Sequence, residues 1–484
     1  MSASFNALKR RALSLGAVKS FDQAMQFLLP VVLVRCLDAA TFGEYRLLWL
    51  VVGTVMAVAT LNMCGTLYFF VPRSPPQRKR LHVHQTMLYL AAAGLVCAAA
   101  VSPWSPLLPP AVRPLEAYGL LVPAFVALWV VAILLDFLPT IDERIRWQAC
   151  ATLGVTALRT LLVAAGAWAS GDFRVILWLL VAVVAVKGVL LFVYVQHRHG
   201  LGRPWFERRA FAEQFTHSAP LGVSNAFFGL RGQSDQWVAA SLFSLASFAA
   251  FSIAALVGQV VHIFRVSVLE ALLPSMSRLQ AAGDVRGMME MNRRGNMLVA
   301  TALFPLLAFA FAFAGELITV VYTASYAEAA PAVRLYAFGQ AALVVEVGSL
   351  VLLLRQGSFV LRVTGAALAL SVAVSWFGAH HFGLAGAAAG SVLAIYFDRA
   401  LTLRRIASLT GTRFAELQDW GGLARTFVLA ALSAALAWGA VMQFLSGAPP
   451  ALRLAVGAAI LGAAYAATNL RGALLGLRIS KERA

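Results

Sequence analysis

Charge is scarce in this chain. Only 12% of its 484 residues are Asp, Glu, Lys or Arg, against roughly 25% in a soluble domain. With 61% hydrophobic residues, such a composition excludes a water-soluble globular protein and points to a polytopic membrane protein. Cysteine is rarer still: Cys36, Cys64, Cys97 and Cys150 stand singly in or beside apolar runs, with no CxxC spacing. That argues against a disulfide framework or a zinc site. No Walker A sequence is present, so ATP is not bound by a P-loop. The pairs His82/His84, His197/His199 and His380/His381 lie at the edges of apolar runs without companion ligands, so no metal site is expected. Long polar connections are missing too, which leaves no extramembrane segment large enough to fold alone.

What is present is a succession of apolar runs of about 20 residues, the length that crosses a bilayer as a helix. They fall near 15–36, 45–71, 83–103, 117–140, 148–169, 175–195, 215–242 and 248–272, then 295–315, 331–354, 357–378, 382–402, 421–445 and 450–470. The expected fold is all-α and polytopic, with about 14 transmembrane helices. The N-terminal run is broken by Lys19, Asp22, Gln23 and Gln26 and lacks a small-residue cleavage site, so it reads as a retained first helix rather than a signal peptide.

The formal net charge of +18 raises the possibility of a nucleic-acid partner, but the placement of the basic residues excludes it. Of the 39 Lys and Arg, 27 lie on alternate connections, beginning with Lys9, Arg10 and Arg11 and ending with Arg471, Arg478, Lys481 and Arg483. The opposite connections hold Arg113, Arg174 and Arg453, with Arg35, Arg46 and Arg334 at segment ends. Basic residues accumulate on the cytoplasmic side, so both termini are expected inside and the number of crossings even. These loops face anionic leaflet lipids, where each basic residue is worth about 1 kcal/mol.

Charges inside the spans are the candidates for function. The stretch Ala219–Phe243 is long enough to cross a membrane yet carries Arg231 and Asp235 near its middle, each costing roughly 2.5–3.5 kcal/mol at the centre of a helix. At i and i+4 they are close enough to pair, which leaves two readings open: a substrate pathway, or a self-neutralised strut. In the first segment Lys19, Asp22, Gln23 and Gln26 form a polar stripe over two turns, and Pro30 marks an expected kink; the plainer reading has Lys19 snorkelling to the interface and pairing with Asp22. The eighth segment supplies Gln259, His262, Arg265 and Glu270, the fifth Thr152, Thr156 and Arg159, the sixth Lys187, and the tenth Gln340 and Glu346. Asp136, ending the fourth, reads as an interfacial residue, and His262 as an interhelical hydrogen-bonding histidine. Gly386 and Gly390 form a GxxxG, a close-packing face.

A weak internal repeat aligns Ala39–Val51 with Leu245–Val257, placing Ala40, Phe42, Leu50 and Val51 on Ala246, Phe248, Leu256 and Val257. Six segments separate the two stretches, so the repeat would be a parallel one between six-helix lobes.

At Leu33–Leu48 (LVRCLDAATFGEYRLL) the sequence resembles the polysaccharide transporters of the multidrug/oligosaccharidyl-lipid/polysaccharide exporter superfamily, the lipid-linked oligosaccharide flippases. The resemblance rests on Arg35 followed by Phe42-Gly43-Glu44-Tyr45, on Asn62–Arg73, on Ala219–Phe243 and on Glu316–Gly339. It implies two six-helix lobes, residues 1–214 and 215–415, with two peripheral helices and a tail in 416–484. It further implies a cavity lined by the first, second, seventh and eighth segments. There, alternating access would carry an undecaprenyl-diphosphate-linked glycan to the outer leaflet of the bacterial inner membrane for exopolysaccharide, capsule or O-antigen synthesis. Relatives often follow the Asp of the seventh segment with a basic residue; here Gln236 follows Asp235, leaving Arg231 as the available cation.

The expected substrate-binding cations are therefore Lys19, Arg231, Arg265 and Arg46, acting on the diphosphate or acidic sugars. Asp22, Asp235 and Glu270 are the candidates for coupling to a proton or sodium gradient. No catalytic residue, metal or other cofactor is expected. Partners would be the polyprenyl-linked glycan, membrane lipids, and the polysaccharide polymerase and export machinery. The nearest rival is a cation-coupled multidrug exporter using Asp22, Asp235 and Glu346 as unpaired acids. A membrane glycosyltransferase or polymerase is less favoured, because it would need a sizeable catalytic loop.

The orientation is directly testable. A reporter active only outside the cytoplasm should be active when fused at Glu116 or Asp172 and silent at Arg78 or Arg286; the reverse pattern would overturn it.

Overall fold

The computed structural model describes residues 20–482, apart from the side chains of residues 257, 259, 260, 262–264, 266, 267, 269, 270 and 469–482. Among the described residues there are helices and no strands, and nine helices are long and apolar enough to cross a membrane. The chain forms two compact units. One runs to Gln233 and adds Phe243–Ala246; the other holds Ser234–Leu242 and the chain from Ser247 onward.

The first unit contains α1 (residues 20–36), α2 (Ala39–Ala59), α3 (Met63–Arg73), α4 (Pro76–Ala100), α5 (Leu121–Ala132), α6 (Leu138–Ile141), α7 (Ile145–Ser170) and α8 (Phe173–Arg198), and most of α9 (Arg208–Leu242). Pro30 lies inside α1 without ending it. Asp38 starts α2 by accepting from the N–H groups of Ala40 (3.1 Å) and Thr41 (3.4 Å), a cap worth about 1 kcal/mol. The apolar segment 45–71 is not one helix. Leu61 and Asn62 take positive φ (38° and 59°) and separate α2 from α3, and Gly222 of α9 lies so close to the Leu61 backbone that a Cβ there would collide with it. Outside the spans, Asp142 joins the turn after α6 to the end of α8: it accepts from the Tyr194 hydroxyl (2.8 Å) and lies 2.9 Å from His199 Nε2. Burial pushes the Asp142 pKa up, but the bonds to His199 and Tyr194 outweigh it and hold it below its ordinary value. This clasp is therefore fully formed above the ordinary carboxylate range and is lost only as pH falls through the depressed value.

The second unit contains α10 (Leu245–Ala255) for most of its length, α11 (Val257–Ala281), α12 (Val285–Ala312), α13 (Ala314–Val321), α14 (Ala330–Leu343), α15 (Gly348–Leu353), α16 (Gly357–Thr410), α17 (Trp420–Phe444) and α18 (Pro450–Glu482). The repeat partners Phe42 and Phe248 are both fully buried (0% and 1% exposed), each in the first turn of its helix. Between α14 and α15 the chain unwinds around Glu346, whose side chain accepts from the Gly348 N–H (2.6 Å) and the Ser349 hydroxyl (2.9 Å). Its backbone is held by Asn292 and Asn296, and Gln418 closes the network onto both asparagines. A helix break at membrane depth survives only where such side chains replace the lost backbone bonds.

The 54 residues of α16 fold back on themselves at Gly383 (φ 60°, ψ −143°), a conformation that favours glycine. Its two arms then meet through small residues: Gly378 lies against Gly386, Gly390 against Ser371 and Ser375, and Ser375 Oγ donates to the Ala387 carbonyl (2.7 Å). The GxxxG read from the sequence is this face. Replacing Gly386 or Gly390 with Val should cost at least the ~1–3 kcal/mol of an overpacked core, seen as a lower melting temperature of the purified protein; an unchanged melting temperature would contradict the packing.

Candidate functional site

The first unit encloses a cavity of about 440 Å³ lined from α1, α3, α5, α7 and α8. Its polar groups come from separate stretches of sequence. Asp22 of α1 accepts from Thr156 Oγ1 of α7 (2.5 Å) and from Gln26 Nε2 one turn along its own helix (2.9 Å). Asp136, in the 3-10 turn Ile133–Asp136 that follows α5, forms an ion pair with Lys187 of α8 at 2.7 Å, and the ammonium is 5.5 Å from the Trp129 ring centroid. Asp136, read from the sequence as an interfacial residue, also lines the cavity. Gln148 donates to Thr152 (3.0 Å), and the Arg159 guanidinium stands 5.8 Å from the Trp49 ring centroid. The polar stripe of α7 and the charges of α1 and α8, visible separately in the sequence, meet here.

A second buried polar group belongs to the second unit. Asp235, 3% exposed, accepts from the Tyr336 hydroxyl of α14 (2.6 Å) and the Gln236 N–H (2.8 Å), with the Ser391 hydroxyl beside it. Hydroxyls continue from there: Ser391 lies 3.3 Å from Ser371, and Ser371 lies 2.8 Å from Ser234. Both arms of α16 contribute, which explains why their close approach matters. Within its own unit the Asp235 carboxylate is held by neutral donors.

The remaining candidates are placed as follows. Arg46 on α2, Arg231 on α9 and Arg265 on α11 are partly buried, and the Arg231 guanidinium is 5.5 Å from the Phe228 ring centroid. Lys19 lies outside the described residues, as do the side chains of Glu270, His262 and Gln259. Glu346 is occupied in holding the break between α14 and α15. Among the described residues no group of three or more His, Cys, Asp or Glu is placed to hold a metal ion.

A sequence profile described as polysaccharide biosynthesis protein matches residues 8–280, more than half of the chain. The chain belongs to this polysaccharide biosynthesis family. No curated protein matches the sequence. Among solved structures, the fold is similar to the lipid II flippase MurJ in an inward closed conformation (TM-score 0.69, 11% identity, covering 95% of this chain and 99% of that one). It is also similar to an inward-facing multidrug resistance MATE family transporter of the MOP superfamily (TM-score 0.59, 13% identity, covering 81% and 96%). A third neighbour is a mutant form of the Vibrio cholerae MATE transporter VcmN (TM-score 0.54, 14% identity, covering 85% and 99%). At such identities the likeness is one of fold: this member of the polysaccharide biosynthesis family shares the all-helical fold of those structures. The resemblance read at Leu33–Leu48 is borne out.

The Asp136–Lys187 pair gives a specific energetic test. Removing one partner leaves the other charge uncompensated, most severely the Lys187 ammonium, whose side chain is only 10% exposed, whereas removing both does not. Lys187→Met and Asp136→Leu should each lower the melting temperature, and the double variant should recover much of the loss. A double variant no more stable than the worse single one would contradict the pairing.

Proposed function

We propose that the protein is a flippase carrying an undecaprenyl-diphosphate-linked oligosaccharide from the inner to the outer leaflet of the bacterial cytoplasmic membrane, by alternating access, for exopolysaccharide, capsule or O-antigen synthesis. The supporting observation is a coincidence of two findings: the polysaccharide biosynthesis match over residues 8–280, and a fold shared over 95% of the chain with a structure named as a lipid II flippase. Both termini are cytoplasmic in this reading. Arg231, Arg265 and Arg46, with Lys19 at the inner mouth, supply charge-assisted donors to the diphosphate or to acidic sugars; the guanidinium fork suits phosphate oxygens. No bond is made or broken.

The driving force is a proton or sodium gradient, with Asp22, Asp235 and Glu270 as the coupling carboxylates. Asp235 suits that role: it is almost completely buried, and its side-chain neighbours are hydroxyls, which both donate and accept. The flipped product would pass to the polymerase and export machinery.

A multidrug exporter is the second reading, favoured by the MATE fold neighbours. It needs carboxylates free to take a cationic drug, whereas Asp22, Asp235 and Glu346 each accept hydrogen bonds from neighbouring donors. Drug-resistance assays in an exporter-deficient host separate the two.

Arg231→Ala and Arg265→Ala should each reduce surface polysaccharide at normal expression. Losing a hydrogen bond to a charged group costs ~1.5–3 kcal/mol, or roughly 10- to 100-fold in substrate handling. Full surface polysaccharide in the double variant would overturn the assignment.

A further inference from the structure

The cavity of the first unit has a lining whose charges cancel. Asp22 and Asp136 are matched by Arg159 and Lys187, and Asp136 and Lys187 are already joined at 2.7 Å. A cation entering would meet the two basic side chains, and a diphosphate would meet the two carboxylates. Neither gains from this site. An uncharged ligand rich in hydroxyl groups meets no such opposition.

The polar side chains of the lining favour that ligand. Gln26, Gln148 and Thr152 bring amide and hydroxyl groups to the cavity, and a sugar hydroxyl, which both donates and accepts, can answer either kind. Trp129 and Tyr68 add aromatic rings to the lining, apolar surfaces against which the C–H face of a sugar can lie while its hydroxyls reach Gln26, Gln148 and Thr152. The volume, about 440 Å³, falls within the ~300–1,000 Å³ of small-molecule sites.

From these features we infer that this cavity is a saccharide-binding subsite. It takes an uncharged sugar of the transported glycan, while the diphosphate is left to arginines outside this cavity. The inference rests on the flippase reading and adds to it a place for the sugar.

The test uses a background in which Cys36, Cys64, Cys97 and Cys150 are serine, with Thr152→Cys or Tyr68→Cys placing a single thiol in the lining. Tyr68 is 49% exposed, so its replacement reports even if Thr152→Cys fails to fold. Each purified variant is reacted with a water-soluble methanethiosulfonate reagent alone, with lipid-linked oligosaccharide isolated from the host, or with sugar-free undecaprenyl diphosphate. Binding of each lipid is measured in parallel by co-purification. The oligosaccharide lipid at about ten times its Kd should slow modification about tenfold, as occupancy requires, and the sugar-free lipid should leave the rate unchanged. If the oligosaccharide lipid binds but the thiols react at the unliganded rate, the cavity holds only water and the inference falls while the flippase reading stands. Equal protection by both lipids also overturns it. If neither lipid binds, the flippase reading falls and the inference with it.

Discussion

An ionisable or polar group at bilayer depth must find a partner inside the protein, because the surrounding hydrocarbon offers none. That requirement shapes both units. In the first, it draws α1 to α7 through Asp22 and Thr156, and α8 to the turn after α5 through Lys187 and Asp136. In the second, it ties α9 to α14 through Asp235 and Tyr336, and it lets the chain unwind between α14 and α15 because Glu346, Asn292, Asn296 and Gln418 satisfy the exposed backbone. Hydrophobic burial cannot choose among helix neighbours when lipid is equally apolar. Polar pairs and close approach through small residues make that choice, and the glycines of α16 are the clearest case of the second device.

The same requirement separates the two polar sites by chemistry. The first-unit cavity has its own cations, so the carboxylates of its lining are balanced. Within its own unit Asp235 is held by hydroxyl and amide donors.

Much of the fold was legible because crossing a bilayer imposes a length. Each apolar run is mostly helical over its described residues, and the small-residue face at Gly386 and Gly390 follows from spacing alone. The interruptions were not legible: Leu61 and Asn62 break segment 45–71 through backbone conformation, and Glu346 breaks segment 331–354 with partners drawn from 292–296 and 418. At the sites, sequence identified the charged and polar residues but not all of their partners. Helical arithmetic set an arginine four residues before Asp235, but nothing in the spacing pointed to the tyrosine 101 positions later that donates to it. Asp136 and Lys187, 51 positions apart, carried no local sign of meeting. Periodicity reports which face a residue shares, and says nothing of which helix lies opposite.

The central claim is that the chain moves a lipid-linked oligosaccharide between leaflets. The most direct measurement is the leaflet distribution of that lipid in a strain lacking the protein, read by a membrane-impermeant glycan label on spheroplasts and on inverted vesicles. The account predicts that the lipid accumulates and is labelled only from the cytoplasmic face, with the normal distribution restored by the wild-type gene. An unchanged distribution, with surface polysaccharide intact, would contradict it.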